Sequence, residues 1–350
     1  MRAISAADAV SPAIQRTRDF LFRPFSWGTY LKLGLVAILT EGLGNSFRSP
    51  SHSGHSSGNG HIVHSPLSQH PEWIAEIAGA VLLAMVICIF VFYLITRLRF
   101  AFFHCLIHNT KLIAPGWRLY CDQASRFFWM NVVVGCCYLL LTMVVALPFI
   151  GGFWRLFHET PPGGSPDIGM LFALVLPLIP IILLLVLLGV VTDVVLRDWM
   201  MPHYALENAT AGQAWSRVWA AITAEKAQFV AYALLRLILP TIAAIALFMV
   251  LIIPGLMLAG SLGVVEYSLH SAFANASGAS AVAGIALEVF FGILGFGFML
   301  LIGICLGGPL STGVREYALL FYGGRYAALG NILFPPPPPM PYPGPMPMTV

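Results

Sequence analysis

Histidine is concentrated in residues 50–71, PSHSGHSSGNGHIVHSPLSQHP, which hold five of the ten histidines in the chain. They are His52, His55, His61, His64 and His70, and the first four form two HxxH pairs. Imidazole is a ligand for zinc and copper, and it is largely neutral near pH 7. Serine and glycine surround these histidines without an HExxH motif, so metal binding would have to order a flexible chain. The composition fits either adventitious zinc or copper capture or a low-complexity linker.

Ionisable residues in or beside apolar stretches form the second group of candidates. Arg236 lies about eight residues inside an apolar segment, where it could contact an anionic headgroup or substrate, pair with an acid, or extend to the membrane interface. The glutamates near the ends of such segments or in a loop between them are Glu41, Glu76, Glu266 and Glu288. They could form an acidic mouth for cations. Alternatively, they are acids tolerated at an outer membrane surface.

A third candidate is the HxxxH pair of His104 and His108, beside Cys105. On a helix this spacing places both rings on one face, which suits a metal or haem pair or an interfacial helix with polar tips in water. The sequence contains no recognisable nucleophile–base arrangement, no glycine-rich phosphate loop and no CxxC motif. It therefore predicts a protein that is not an enzyme and has no resident cofactor.

The elements that must position these residues are membrane helices. Hydrophobic residues make up 58% of the 350 residues and charged ones only 9%, which excludes an ordinary soluble domain. The small formal charge of +3, with dispersed basic residues, gives no indication of nucleic-acid binding.

Apolar runs of about 20 residues match the length of a membrane-spanning helix. Six spans are predicted, at about 27–44, 73–96, 131–150, 168–191, 229–253 and 285–311. A shorter apolar piece, 255–265, is interpreted as interfacial or re-entrant.

The distribution of lysine and arginine predicts the orientation of these spans. Fifteen of the 18 basic residues fall in the N-terminal segment, the second and fourth loops and the C-terminal segment. Only Arg48 and Arg155 fall in the loops between them, and Arg236 lies within a span. Positive residues favour the cytoplasmic side, so both termini are predicted to be cytoplasmic and the histidine-rich loop, residues 49–72, external. The predicted location is the cytoplasmic membrane of a bacterium.

The cytoplasmic segments before spans one, three and five share an amphipathic pattern, with apolar residues at helical spacing beside basic ones. These apolar residues are Val10, Ala13, Ile14 and Leu21 in the first segment, Trp117, Tyr120, Cys121, Ala124 and Phe128 in the second, and Trp215, Val218, Trp219 and Ile222 in the third. Such helices are typical of the lipid headgroup region. The predicted fold class is thus an all-α transmembrane bundle of three hairpins, each preceded by an interfacial helix. Alternatively, the shared pattern reflects only the aromatic and basic residues that any multi-pass protein needs at its membrane interfaces. Within span six, the small-xxx-small pattern Gly303–Gly307 favours close helix packing.

Several stretches resemble known membrane proteins. Residues 202–219, PHYALENATAGQAWSRVW, are similar to a cytoplasmic loop in a broad group of bacterial multi-pass proteins of unknown function. That group resembles the membrane domain attached to some glycerophosphodiester phosphodiesterases. The opening RDFLFRPFSWGTYLKLGL, residues 18–35, and the closing REYALLFYGGRYAALGNILFPPPPP, residues 315–339, resemble one uncharacterised bacterial family. The resemblance implies a helical membrane domain without an established activity, and the phosphodiesterase chemistry is not implied.

The C-terminal segment, residues 335–350, is rich in proline and follows Phe334. Proline excludes helix and sheet, so a polyproline II extension is expected, either as a docking segment for a protein partner or as an inert tail. Together the patterns favour a non-enzymatic membrane scaffold, assembly or regulatory factor with possible lipid binding. A small-solute or ion transporter and a lipid-modifying membrane enzyme are the alternatives.

Overall fold

The computed structural model describes residues 4–41, 71–159, 168–273 and 278–335, and helices dominate these ranges. Their bounds are α1 Val10–Phe22, α2 Trp27–Glu41, α3 Pro71–Ile107, α4 Ile113–Leu119, α5 Cys121–Glu159, α6 Ile168–Val194, a π turn Val195–Met200, α7 Met201–Glu207, α8 Ala211–Ala224, α9 Lys226–Phe273, α10 Ala279–Gly323 and α11 Ala327–Leu333. No strand occurs in the described ranges. The predicted all-α class is confirmed.

Five helical segments in the described part are long and apolar enough to cross a membrane: Glu76–Ile107, Cys121–Trp154, Leu171–Glu207, Lys226–Phe273 and Ser280–Gly323. The first of the six predicted spans, 27–44, appears as α2, whose described part has 15 residues. That is shorter than the roughly 20 residues of a spanning helix, and residues 42–44 lie outside the described part. The first span, 27–44, therefore stays a prediction.

The long helices bury one end and expose the other. In α3, residues 76–91 are exposed, whereas most of residues 95–107 are buried. The same change occurs along α6 and α10, so the core gathers around the C-terminal parts of these helices and the N-terminal part of α9. Their other parts expose leucine, isoleucine, valine and phenylalanine. A surface of this composition is suited to lipid chains rather than water.

Helix α9 is continuous for 48 residues, which corresponds to about 72 Å at 1.5 Å per residue. It passes through residues 255–265 without a break, so the interpretation of this piece as re-entrant is wrong, and its interfacial position stays a prediction. The glycines there do not interrupt the helix, because glycine disfavours but does not prevent helical hydrogen bonding.

Two of the three predicted amphipathic segments form single helices, and the other is divided. The first forms α1, which buries Ala13 and Leu21. The third forms α8, which buries Val218 and leaves Trp215 and Trp219 exposed and stacked, with ring centroids 5.8 Å apart. The second is not one helix: it is divided at Tyr120 between α4 and α5.

The division at Tyr120 has a packing cause. Helix α4 lies on α3, and a Cβ added at Gly116 would come 3.0 Å from the backbone oxygen of Ala101. This close approach fixes α4 against α3, and Tyr120 takes a non-helical conformation before α5 begins. Helix α5 then begins with a hydrogen bond from the Ala124 amide to the Tyr120 carbonyl at 2.9 Å.

Helix α2 packs most extensively against α10, and two glycines make this possible. A Cβ added at Gly308 would lie 2.7 Å from the Cα of Gly34, so the two backbones touch. Glycine was expected to provide such an approach within Gly303–Gly307. A Cβ added at Gly307 would lie 3.0 Å from Ile38 Cδ1, whereas Gly303 faces open space, so the closest approach lies one residue beyond the motif, at Gly308.

Candidate functional site

A cluster of buried and partly buried ionisable side chains, which we call the charge cluster, lies beside the core. Its members come from α2, α3, α6, the π turn, α9 and α10: Glu41, Arg99, Asp193, Arg197, Asp198, Arg236 and Arg315. Burying a charge is costly unless it is paired and hydrogen-bonded. The cluster therefore requires that several distant segments meet with correct geometry.

Asp198 is the centre of the charge cluster, and its side chain is fully buried. Its Oδ2 accepts a hydrogen bond from Arg236 Nε at 3.0 Å and another from the Tyr232 hydroxyl at 2.8 Å. Its Oδ1 accepts one from Arg315 Nη1 at 3.1 Å. A single carboxylate thus joins the π turn to α9 and α10.

Glu41, the last residue of α2, is a second acceptor. Its Oε2 receives hydrogen bonds from Arg197 and from Arg236 Nη2, the latter at 3.1 Å. Arg236 consequently bridges two carboxylates, Glu41 and Asp198, that belong to different elements. This pairing lets a guanidinium remain charged in a region with little water.

The π turn explains how two neighbouring residues both enter the cluster. Arg197 and Asp198 are adjacent in sequence and both buried, yet they contact different partners. A π turn widens the helix locally and changes the directions in which side chains leave it, and such turns often mark functional sites. The Arg197 carbonyl also accepts a hydrogen bond from Arg315 Nη1 at 2.8 Å.

The charge cluster has one more positive than negative group, with four arginines against three carboxylates. Arg99 accounts for the excess: among described residues its side chain donates to the Thr40 carbonyl at 3.0 Å and forms no ion pair. Nearby, Arg16 Nε and Glu316 Oε2 form a separate ion pair at 3.0 Å. The charge cluster as a whole therefore carries one net positive charge.

Two cavities adjoin the charge cluster. The larger, about 600 Å³, lies between α1, α9 and α10 and is lined almost entirely by apolar side chains. We call it the α1 groove, and its charged lining residues are Arg18 and Arg236. The smaller, about 230 Å³, has a mixed lining that includes Glu41, Asp193 and Arg197. Arg236 lines both cavities.

The candidates from the sequence occupy different places. The structure brings Arg236 and Glu41 into contact, whereas Glu76 and Glu266 are exposed elsewhere and Glu288 pairs with His270 Nδ1 at 3.1 Å. Glu41 therefore belongs with arginines and not to an acidic mouth with the other glutamates. A residue at the outer end of a span could not reach Arg197 across about 30 Å, so an external Glu41 and a cytoplasmic Arg197 cannot both hold.

The histidine candidates provide no described metal site. Residues 49–70, with His52, His55, His61, His64 and His70, lie outside the described part. The rings of His104 and His108 are 4.5 Å apart between centroids. Within the described ranges no group of three or more His, Cys, Asp or Glu residues could hold a metal ion.

Several members of the charge cluster were missed from the sequence. Arg99, Arg197 and Arg315 were counted only as charges flanking the spans, and Asp193 and Asp198 were not considered. A usable signal exists in two dipeptides that follow apolar runs, Arg197–Asp198 and Arg315–Glu316. Adjacent opposite charges at the end of an apolar run indicate pairing within the protein more than membrane orientation.

Five long apolar helices that meet at one buried core are compatible with a multi-pass membrane protein, and the charge cluster lies beside this core. The chain belongs to a family of unknown function, DUF7544, whose model matches residues 4–332. No curated protein and no solved structure matches the chain.

Proposed function

We propose that this protein is a non-enzymatic, multi-pass protein of the cytoplasmic membrane that binds a lipid and serves as a scaffold, assembly or regulatory factor. The observation that carries the proposal is the α1 groove, an apolar cavity of about 600 Å³ with two arginines in its lining. Its volume is within the range of about 300–1,000 Å³ typical of ligand pockets. An apolar cavity beside cationic groups suits an amphiphile, whose chains and headgroup need different surroundings.

The composition of the walls supports this role. Helix α1 contributes Val10, Ala13 and Ile14, and α9 and α10 contribute residues such as Leu239 and Leu310. Each buried methylene of an acyl chain contributes about 0.8 kcal/mol when removed from water. A bound lipid would thus connect α1 to the two longest helices.

The absence of catalysis in this proposal rests on the charge cluster. Its carboxylates Glu41, Asp193 and Asp198 each contact an arginine. An oxygen that already accepts guanidinium hydrogen bonds is not free to take a proton from a substrate, as general-base catalysis requires. A lipid-modifying enzyme would need an acid, base or metal group that faces the α1 groove.

Most of the remaining sequence predictions belong to the same proposal. Both termini are assigned to the cytoplasm and residues 335–350 to docking a protein partner; no nucleic acid or resident cofactor is assigned. The arrangement of the spans as three hairpins is not carried into this proposal, because it places Glu41 on the external side, away from its partner Arg197. Residues 336–350 lie outside the described part. The resemblance to a membrane domain attached to some glycerophosphodiester phosphodiesterases would suit a lipid-related role.

Filling the α1 groove should remove the lipid. Gly313 lines this groove, and a Cβ added there meets Thr17 at an ordinary 3.6 Å, so Gly313→Leu should fold while its side chain occupies part of the cavity. Displacing two methylenes of an acyl chain would weaken binding by about tenfold. Native mass spectrometry of the purified protein would measure the lipid-bound fraction.

The matched control is Gly303→Leu, the same change on the same helix at a position that faces open space and does not line the groove. It should keep the lipid-bound fraction of the wild type. Equal lipid retention by Gly313→Leu and Gly303→Leu would reject the groove as the binding site.

A transporter is the second candidate, because Arg236, Pro240, Leu310 and Val314 line both cavities. A path between the cavities would pass these residues. Vesicles containing the protein should then admit salts or amino acids faster than empty vesicles, and Leu310→Trp should slow this entry. Swelling measured by light scattering would test it; identical rates for protein-containing and empty vesicles would argue against transport of these solutes.

A further inference from the structure

We propose that the α1 groove binds an anionic phospholipid whose phosphate contacts Arg18. This inference rests on the lipid-binding role proposed above and names the class of lipid. It follows from the different environments of three arginines near the groove and from the charges of the segments that could compete for it.

Arg18 is the cation available to a ligand. It is exposed, lines the α1 groove, and makes no hydrogen bond or ion pair with any residue that the structure describes. Arg236, on the opposite wall, is already engaged by Glu41 and Asp198. The positive charge offered to the headgroup therefore resides mainly on Arg18.

The neighbouring Arg16 differs from Arg18 because its guanidinium is held by partners within the protein. Its Nε pairs with Glu316 at 3.0 Å, and its Nη2 donates to the Leu106 carbonyl at 2.8 Å. Two positions further along α1, Arg18 has no such partners. Its planar guanidinium can donate two parallel hydrogen bonds to a phosphate.

The groove occupant is a lipid rather than a segment of the same chain. The long segments outside the described part, residues 42–70 and 336–350, contain no aspartate or glutamate side chain, so neither supplies a side chain that complements Arg18. The exposed apolar surfaces of α9 and α10 beside the groove are suited to contact with phospholipid. Anionic lipids are attracted to arginine near the membrane surface by about 1 kcal/mol per residue.

The test uses a photo-reactive benzoylphenylalanine at Ile14, which lines the groove and is 62% exposed, in the full chain. The reference position is Val250 on α9, which is 73% exposed and does not line the groove. Each protein is placed in vesicles with equimolar phosphatidylglycerol and phosphatidylcholine, irradiated, and analysed by mass spectrometry. Val250 should sample the bulk lipid, whereas Ile14 should be enriched about fivefold in phosphatidylglycerol adducts.

The charge contact is tested by Arg18→Gln in the same assay, which should reduce the enrichment at Ile14 to the level at Val250. The matched control is Arg23→Gln, since Arg23 is also an exposed arginine near the end of α1 but pairs with Asp19 and does not line the groove. It should leave the enrichment unchanged. An equal effect of both variants would overturn the assignment to Arg18.

The outcomes separate this inference from the proposed function. Lipid adducts at Ile14 without headgroup preference would overturn the anionic ligand and leave lipid binding in place. A lack of lipid adducts at Ile14 would overturn both. A cross-link from Ile14 to a peptide of residues 336–350 would overturn both in favour of the chain's own tail as occupant.

Discussion

Replacing Asp198 with alanine should destabilise the fold by about 3–5 kcal/mol, because it leaves buried guanidiniums without their carboxylate. Arg315 would lose an ion-pair partner, Arg236 would lose one of two, and the Tyr232 hydroxyl would lose its acceptor. Thermal unfolding of the purified protein in detergent, followed by tryptophan fluorescence and size-exclusion chromatography, would measure this.

Two further variants make the Asp198 result interpretable. Asp198→Asn keeps an oxygen that can accept from Tyr232, so its loss should be intermediate between wild type and Asp198→Ala. Asp19→Ala removes a half-exposed partner of Arg23 and should change stability by less than about 1 kcal/mol. If Asp198→Ala and Asp19→Ala had the same melting temperature, the charge cluster would not stabilise the fold.

Gly308→Ala should also destabilise the protein, by about 1–3 kcal/mol. The added methyl group would lie 2.7 Å from the Cα of Gly34, and backbone atoms cannot move aside as a flexible side chain can. Helices α2 and α10 would have to separate, and the contact of Glu41 with Arg197 and Arg236 would be strained as a result.

The control for Gly308 is Gly303→Ala, five residues earlier on α10 in open space. Alanine favours helix over glycine by about 1 kcal/mol, so this variant should be neutral or slightly more stable. The two variants are thus expected to shift the melting temperature in opposite directions. A shift in the same direction for both would show that helix propensity, and not the contact with Gly34, decides the outcome.

The fold class was predictable because apolar runs of about 20 residues have few alternatives to membrane helices. The lengths of the helices were less predictable. Helix α9 extends well beyond the predicted span 229–253, since neither its prolines nor its glycines end it. The division at Tyr120 was not predictable, because it depends on how Gly116 meets Ala101 on another helix.

The candidate site was only partly predictable for a related reason. Arg236 could be found because an arginine within an apolar run is costly wherever it lies. Glu41 could be found in the same way, but its partners could not. The contact between Glu41 and Arg197 joins residues 156 positions apart, and it depends on the π turn, which has no clear sequence signature.

The wide spacing of the charge cluster along the chain has a consequence for synthesis of the protein. Asp198 emerges 34 residues before Tyr232 and 117 residues before Arg315. At about 5–20 residues per second, the ribosome needs about 6–23 s to supply that last arginine. Throughout this interval the nascent chain carries an incompletely neutralised acid at the end of an inserted segment. Completion of α10 is therefore the step that supplies the last partner of Asp198. A chain that stops before α10 would keep Asp198 without Arg315.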